Sequence, residues 1–193
     1  MDPVIVRVAE GVEIAAPPAS VFALVSDPLA KARLNPNVQV IRVERVDAGP
    51  LREGSVTFLR LQKGRRIFEY RTRCERLEAG RLLEQRAELP TVVRVRVEVC
   101  PIPRGARLTQ QEECEVTFEM LEALPGAPRA DWPWRAARLL HLLLPELAAE
   151  TFAVILRQSA RLLERMLRGE LHDWLAAIKD HLETQYQERS MVR

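Results

Sequence analysis

The sequence predicts an α+β domain in which an antiparallel sheet is followed by a long helix, and three patterns predict it. Between Val38 and Phe118, six runs alternate apolar and polar residues and are rich in β-branched side chains, the period of strands with one buried face. Most joints between them are short, at Lys63-Gly64, Ala79-Gly80, Pro90-Thr91 and Pro101 to Gly105, which makes neighbouring strands antiparallel. From Glu146 to about Arg168 the period lengthens, and Leu147, Thr151, Phe152, Ile155, Ser159, Leu162, Leu163 and Met166 fall on one broad side of a helix.

In chain order, Val4 to Val8 and Val12 to Ile14 read as one long strand interrupted near Glu10-Gly11, where glycine allows a bulge or bend. Pro17-Pro18 ends it and opens a helix whose apolar face is Val21, Phe22, Leu24 and Val25. Asp27-Pro28 stops that helix, and Asp27 can cap a second short turn. The six strands then span Val38 to Val46, Ser55 to Gln62, Arg65 to Leu77, Arg81 to Leu89, Val92 to Cys100 and Arg107 to Phe118. Leu124-Pro125-Gly126-Ala127-Pro128 is a linker, and Asp131 and Pro133 start a short apolar helix over Trp134 to Leu144. After the long helix, Gly169 is a weak point. Leu171, Trp174, Leu175, Ile178 and Leu182 then form a fresh apolar stripe before a polar tail.

Residues paired across a tight turn point to one face, so the turns predict which side chains share an interior. A turn at Lys63-Gly64 pairs Leu59 with Phe68, Thr57 with Tyr70 and Ser55 with Thr72. A turn at Ala79-Gly80 pairs Cys74 with Gln85, Thr72 with Ala87 and Tyr70 with Leu89, and one at Pro103-Arg104 pairs Val99 with Leu108, Val97 with Gln110, Val95 with Glu112 and Val93 with Cys114. The opposite face carries Arg71, Arg73, Glu75, Glu84, Arg86, Glu88, Arg94 and Glu113, a solvated surface. On the apolar face the exceptions are Ser55, Thr57, Tyr70, Thr72, Gln85, Gln110 and Glu112. A buried polar group without a partner costs roughly 1 to 3 kcal/mol. These residues therefore bond one another, the backbone or water, or they line a cavity and hold the polar end of an apolar ligand.

Composition excludes several classes. Lys plus Arg is 29 against 27 for Asp plus Glu, a net charge of +2, which gives no field to favour nucleic acid. Only Lys31, Lys63 and Lys179 are lysine. Cys74, Cys100 and Cys114 form no CxxC pair, so neither a disulfide framework nor a zinc site is suggested, and a cytoplasmic, reducing setting is expected. No basic-then-apolar leader opens the chain, and the most apolar run, Leu139 to Ala149, falls short of the ~20 residues that stable membrane insertion needs. His172 and His181 are nine apart on a helix and point away from each other, so no metal is expected, nor any cofactor. Nucleophile-elbow, Walker and dinucleotide signatures are absent from the sequence.

Strand, two small helices, a run of hairpins and a final helix resemble the START-like superfamily, also called SRPBCC or polyketide cyclase/dehydrase-like. The resemblance implies a helix-grip fold, a sheet wrapped around the long C-terminal helix. It implies a domain over residues 1–168, with residues 119–145 as an inserted linker and short helix and residues 169–193 as a helical extension. The ligand it implies is an apolar small molecule or lipid held between sheet and helix, against Thr57, Tyr70, Thr72, Gln85, Gln110, Glu112, Phe152, Ile155 and Ser159. The superfamily also includes cyclases and dehydratases, and for those Glu112 is the expected proton-transfer residue, because a carboxylate facing Val95 in a dry interior has a raised pKa. A third expectation is an interaction module, with Leu171, Trp174, Leu175, Ile178 and Leu182 meeting a partner, as in a homodimer.

Overall fold

The computed structural model describes residues 3–88, 91–123 and 145–191. Strand β1 (Ile5–Ile14) leads into α1 (Pro18–Ser26) and α2 (Pro28–Arg33). Strands β2 (Gln39–Arg45), β3 (Val56–Lys63), β4 (Arg66–Glu78), β5 (Leu82–Glu88), β6 (Val92–Ile102) and β7 (Gly105–Glu115) follow as a meander, then α3 (Phe118–Ala123) and α4 (Pro145–Met191). The seven strands form one antiparallel sheet in the order β1-β7-β6-β5-β4-β3-β2. Helix α4 lies against β1, while α1 packs on β6 and β7. This is the helix-grip arrangement.

The register of the last hairpin is as the turn predicted: Val93 faces Cys114, Val95 faces Glu112, Val97 faces Gln110 and Val99 faces Leu108. Cys74 opposite Gln85 and Thr72 opposite Ala87 also hold, whereas a bulge after Cys74 sets Arg76, not Glu75, against Glu84. The first hairpin differs by two positions. Leu59 pairs with Tyr70, Leu61 with Phe68 and Thr57 with Thr72, because the turn is Gly64-Arg65, with Gly64 at φ 59°, suited to the first position of a II′ turn. A shift of two leaves every side chain on its expected face. The pairing of Tyr70 with Leu89 lies outside the described residues.

Strand β1 is continuous through Gly11, with no shift in its pairing to β7. Gly105, at φ 135°, is forced: a Cβ there would stand 2.0 Å from the Ile14 carbonyl oxygen. The last strand stops at Glu115, short of the expected Phe118. Thr117 Oγ1 accepts the Met120 amide at 3.1 Å and so caps α3.

Helix α4 corrects two expectations. It runs 47 residues without a break, crossing Gly169 and the expected boundary at 168. Leu171, Leu175, Ile178 and Leu182 are 0 to 6% exposed and join Val8, Ile14, Val97, Leu108 and Leu163 in one core. Each such side chain contributes ~1.5 to 3 kcal/mol by leaving water. The stripe expected to meet a second subunit is therefore used within the chain. The Leu124 to Pro128 linker and the Trp134 to Leu144 helix with its Asp131 cap lie outside the described residues.

Candidate functional site

The cavity begins with the local structure of α2. Asp27 Oδ1 accepts the amides of Leu29 and Ala30 at 2.9 and 3.0 Å, fixing where this short helix starts. Lys31 is thereby turned inward and is only 7% exposed. Across from it, the Trp174 indole N–H of α4 donates to the Lys31 carbonyl at 3.0 Å. That carbonyl sits in the last turn of α2, where helical partners run out. The Lys31 ammonium lies 4.8 Å from the centre of the Trp174 ring. On the same stretch of α4, Glu170 pairs with Lys63 of β3, and its carbonyl accepts from Asn37 Nδ2 at 3.1 Å. Two tethers thus hold the middle of α4 over the sheet.

Between them lies a cavity of about 230 Å3. Its walls are mostly apolar: Val25, Leu59, Leu61, Phe68, Ala87, Val93, Val95, Leu167 and Leu171 take part. Its polar lining includes Lys31, Tyr70, Thr72, Gln85, Gln110, Glu112 and Glu170, with Ser26 and Asn35 from the first helices and the loop after them. Five of the residues expected from the sheet register are thus brought together. The others are not. Thr57 is buried at 1% exposure but does not line the cavity, and Ile155 and Ser159 are buried further along α4. Phe152 lies outside the described side chains. The helical wall is Leu167, Glu170, Leu171 and Trp174, which begins eight residues, or about 12 Å, beyond Ser159. The cause is the uninterrupted helix, which brings a later stretch to the sheet.

Gln110 Nε2 donates to Glu112 Oε1 at 2.6 Å, and among the described residues Gln110 Oε1 is buried without a partner. Burial pushes the Glu112 carboxyl upward, and the charge of Glu170 adds to this, while the Gln110 hydrogen bond and the Lys31 charge pull it down. Burial draws Lys31 down to about 8, opposed by Glu112. Burial and the Glu112 charge together push the Tyr70 phenol up, so it stays protonated. One small space thus holds a carboxyl inclined to keep its proton, a phenol donor and an amine inclined to lose its proton.

Lys31 was missed by the sequence reading. Its one signal is rarity, a lysine in a chain with few of them; an isolated cation in the last turn of a short helix otherwise reads as a favourable dipole contact. Cys74 and Cys114 are buried and Cys100 is exposed, and burial raises the Cys114 thiol to about 11, which leaves it un-ionised. Among the described residues no group of acidic, histidine or cysteine side chains could hold a metal ion, and no helix is long and apolar enough to cross a membrane.

The family model described as polyketide cyclase / dehydrase and lipid transport matches residues 6–183. Curated proteins give no match. Solved structures are similar in fold at low identity. The di-domain ARO/CYC protein StfQ of the steffimycin biosynthetic pathway aligns at 12% identity and TM-score 0.66, covering 95% of this chain and 52% of that one, so the chain spans about half its length. The Zhui aromatase/cyclase of a Streptomyces species aligns at 15% and 0.57, covering 95% and 96%. A polyketide-cyclase-like protein of Corynebacterium glutamicum aligns at 18% and 0.54, covering 97% of each chain.

Proposed function

The chain belongs to the polyketide cyclase/dehydrase and lipid transport family, and from that premise we propose that it binds one compact, mostly apolar molecule bearing a polar group in the cavity between sheet and α4. The observation that carries this reading is the asymmetry of the cavity. Apolar side chains from four strands and three helices line it, while Lys31, Tyr70, Gln110 and Glu112 supply polar contacts. Ligand sites have this composition. The unpartnered Gln110 Oε1 gains a donor when a hydroxyl or amide enters, recovering the roughly 1 to 3 kcal/mol that an orphaned buried acceptor costs. At about 230 Å3 the space lies just below the usual range of roughly 300 to 1,000 Å3 for small-molecule sites. It suits a molecule of one or two rings or a short acyl chain rather than a full lipid. Free thiols, exposed Cys100 among them, suit work in a reducing compartment such as the cytoplasm.

A second reading, a cyclase or dehydratase, is favoured by the convergence of Glu112 and Tyr70 on one cavity. In it the Glu112 carboxyl gives and takes the proton, and the Tyr70 hydroxyl orients a carbonyl.

Native mass spectrometry of protein purified from cells, followed by solvent extraction, tests the binding reading and separates it from the second. We expect one apolar small molecule per chain, absent from Ala87→Phe, which fills the cavity from a wall position only 4% exposed. The same molecule from Glu112→Gln and the parent supports a carrier. A different, less processed molecule from Glu112→Gln supports catalysis. Equal occupancy of Ala87→Phe and the parent overturns both.

A further inference from the structure

We propose that Lys31 is a nucleophilic amine that captures a carbonyl group of the ligand as an imine, with the Glu112 carboxyl as the proton donor for loss of water. This rests on reading the cavity as a ligand site and adds the class of ligand: an aldehyde or ketone on a compact apolar frame.

Imine formation asks for three things, and the cavity brings them together. The first is an amine free of an ion pair. Lys63 is paired with Glu170, and Lys179 with Glu183 at 2.7 Å and the Glu13 carbonyl at 2.7 Å. Among the described residues Lys31 has no carboxylate within the 4 Å of an ion pair; its contact is the face of Trp174. Burial holds its pKa near 8, so at neutral pH roughly a tenth of it is free base, against below a thousandth for an ordinary lysine. The second is an acid. Glu112 is inclined by burial to stay protonated and lines the same cavity. Lys31 and Glu112 both line one cavity, each acts on the other's charge, and among the described residues they form no ion pair with each other; the carbonyl of the ligand is placed between them. The third is an apolar surround that limits water, because water reverses the reaction. Leu59, Leu61, Phe68 and Val95 provide it. The groups facing Lys31 are Glu112 from β7, Tyr70 from β4 and Glu170, paired with Lys63, from α4 and β3.

The step balances without any oxidant or reductant. The Lys31 lone pair forms a C–N bond to the carbonyl carbon while the carbonyl π pair moves to oxygen, which takes the Glu112 proton. The nitrogen returns one proton to the Glu112 carboxylate, giving a neutral carbinolamine. Nitrogen then expels the hydroxyl, which takes the Glu112 proton and leaves as water; the iminium loses its N–H proton to Glu112. The sum is amine plus carbonyl giving imine plus water. Tyr70 donates to the carbonyl oxygen during attack.

The test treats the full chain with 2-naphthaldehyde and sodium cyanoborohydride, which reduces the imine to a stable secondary amine, and maps the adduct by peptide mass spectrometry. Few lysines make the map simple. In parallel, binding of 2-methylnaphthalene, which has no carbonyl, is followed by NMR. Among the lysines we expect the adduct at Lys31, formed at least about tenfold faster than at Lys63 or Lys179, because burial favours the free base of Lys31 while the other two are held in ion pairs. We expect Lys31→Arg to lose the adduct, and the parent to bind 2-methylnaphthalene. Labelling of Lys31 no faster than Lys63 and Lys179, with 2-methylnaphthalene bound, overturns the amine proposal and leaves the binding reading standing. Failure to bind 2-methylnaphthalene in this cavity, with no preference for Lys31, overturns both.

Discussion

At the residue scale the cavity is expensive to build. Lys31 is drawn well below the ordinary lysine value of 10.5, to about 8, chiefly by burial. Between about pH 8 and 10.5 the unfolded chain thus holds a proton on Lys31 that the folded chain has released, so this group's contribution to stability rises with pH across that window and is most unfavourable below it. Lys31→Met keeps the apolar stem over Trp174 and removes the charge. It should stabilise the fold by ~1 to 3 kcal/mol at pH 7, with the gain shrinking as pH rises toward 10. Urea unfolding of both proteins at several pH values checks this, read above about pH 8, where Lys31 releases its proton in the fold. A pH-independent difference would show that Lys31 is not held in a dry site. Glu112 has the opposite sign. Its raised pKa makes its contribution most favourable in acid and progressively lost as pH rises through the folded value.

At the scale of elements, the strands and the presence of a long final helix were legible, and the length of that helix was not. Alternating valines Val93, Val95, Val97 and Val99 and a Pro103-Arg104 turn fix the last hairpin, so Gln110 and Glu112 could be placed inside from sequence. The first hairpin moved by two residues because Lys63-Gly64 and Gly64-Arg65 are both reasonable turns; only backbone geometry chooses between them. The even shift left Tyr70 and Thr72 facing inward. Gly169 misled because its cost was weighed alone: about 1 kcal/mol for a helical glycine is outweighed by four buried side chains in the turns that follow, Leu171, Leu175, Ile178 and Leu182. Once α4 is continuous, the cavity wall moves from Ile155 and Ser159 to Leu167 and Leu171. Gly169 itself is exposed, with nothing within 4 Å of where a Cβ would stand. Gly169→Ala should therefore stabilise the protein by ~0.5 to 1 kcal/mol, read as a higher denaturation midpoint with unchanged slope. Destabilisation would mean that the helix does not run straight through this point.

At the scale of the whole molecule, a sheet and one long helix meet closely along β1, and residues of β3 to β7 with α1, α2 and the middle of α4 line the space left between them. The space that remains is the candidate ligand site. Its sheet wall could be listed from alternation alone, whereas its helical wall and Lys31 depend on where α4 crosses the sheet, which no local pattern encodes. Family membership fixes the scaffold, and a scaffold does not fix a reaction; that rests on the few polar groups the cavity holds. The most direct test that those groups line a ligand site is a 15N-resolved NMR titration with 2-methylnaphthalene. The Trp174 indole N–H, the Gln110 side-chain amide and the backbone amides of Lys31 and Leu171 should shift together and saturate, and Ala87→Phe should abolish the response. Signals that stay fixed at saturating probe, or that move equally in Ala87→Phe, would contradict it.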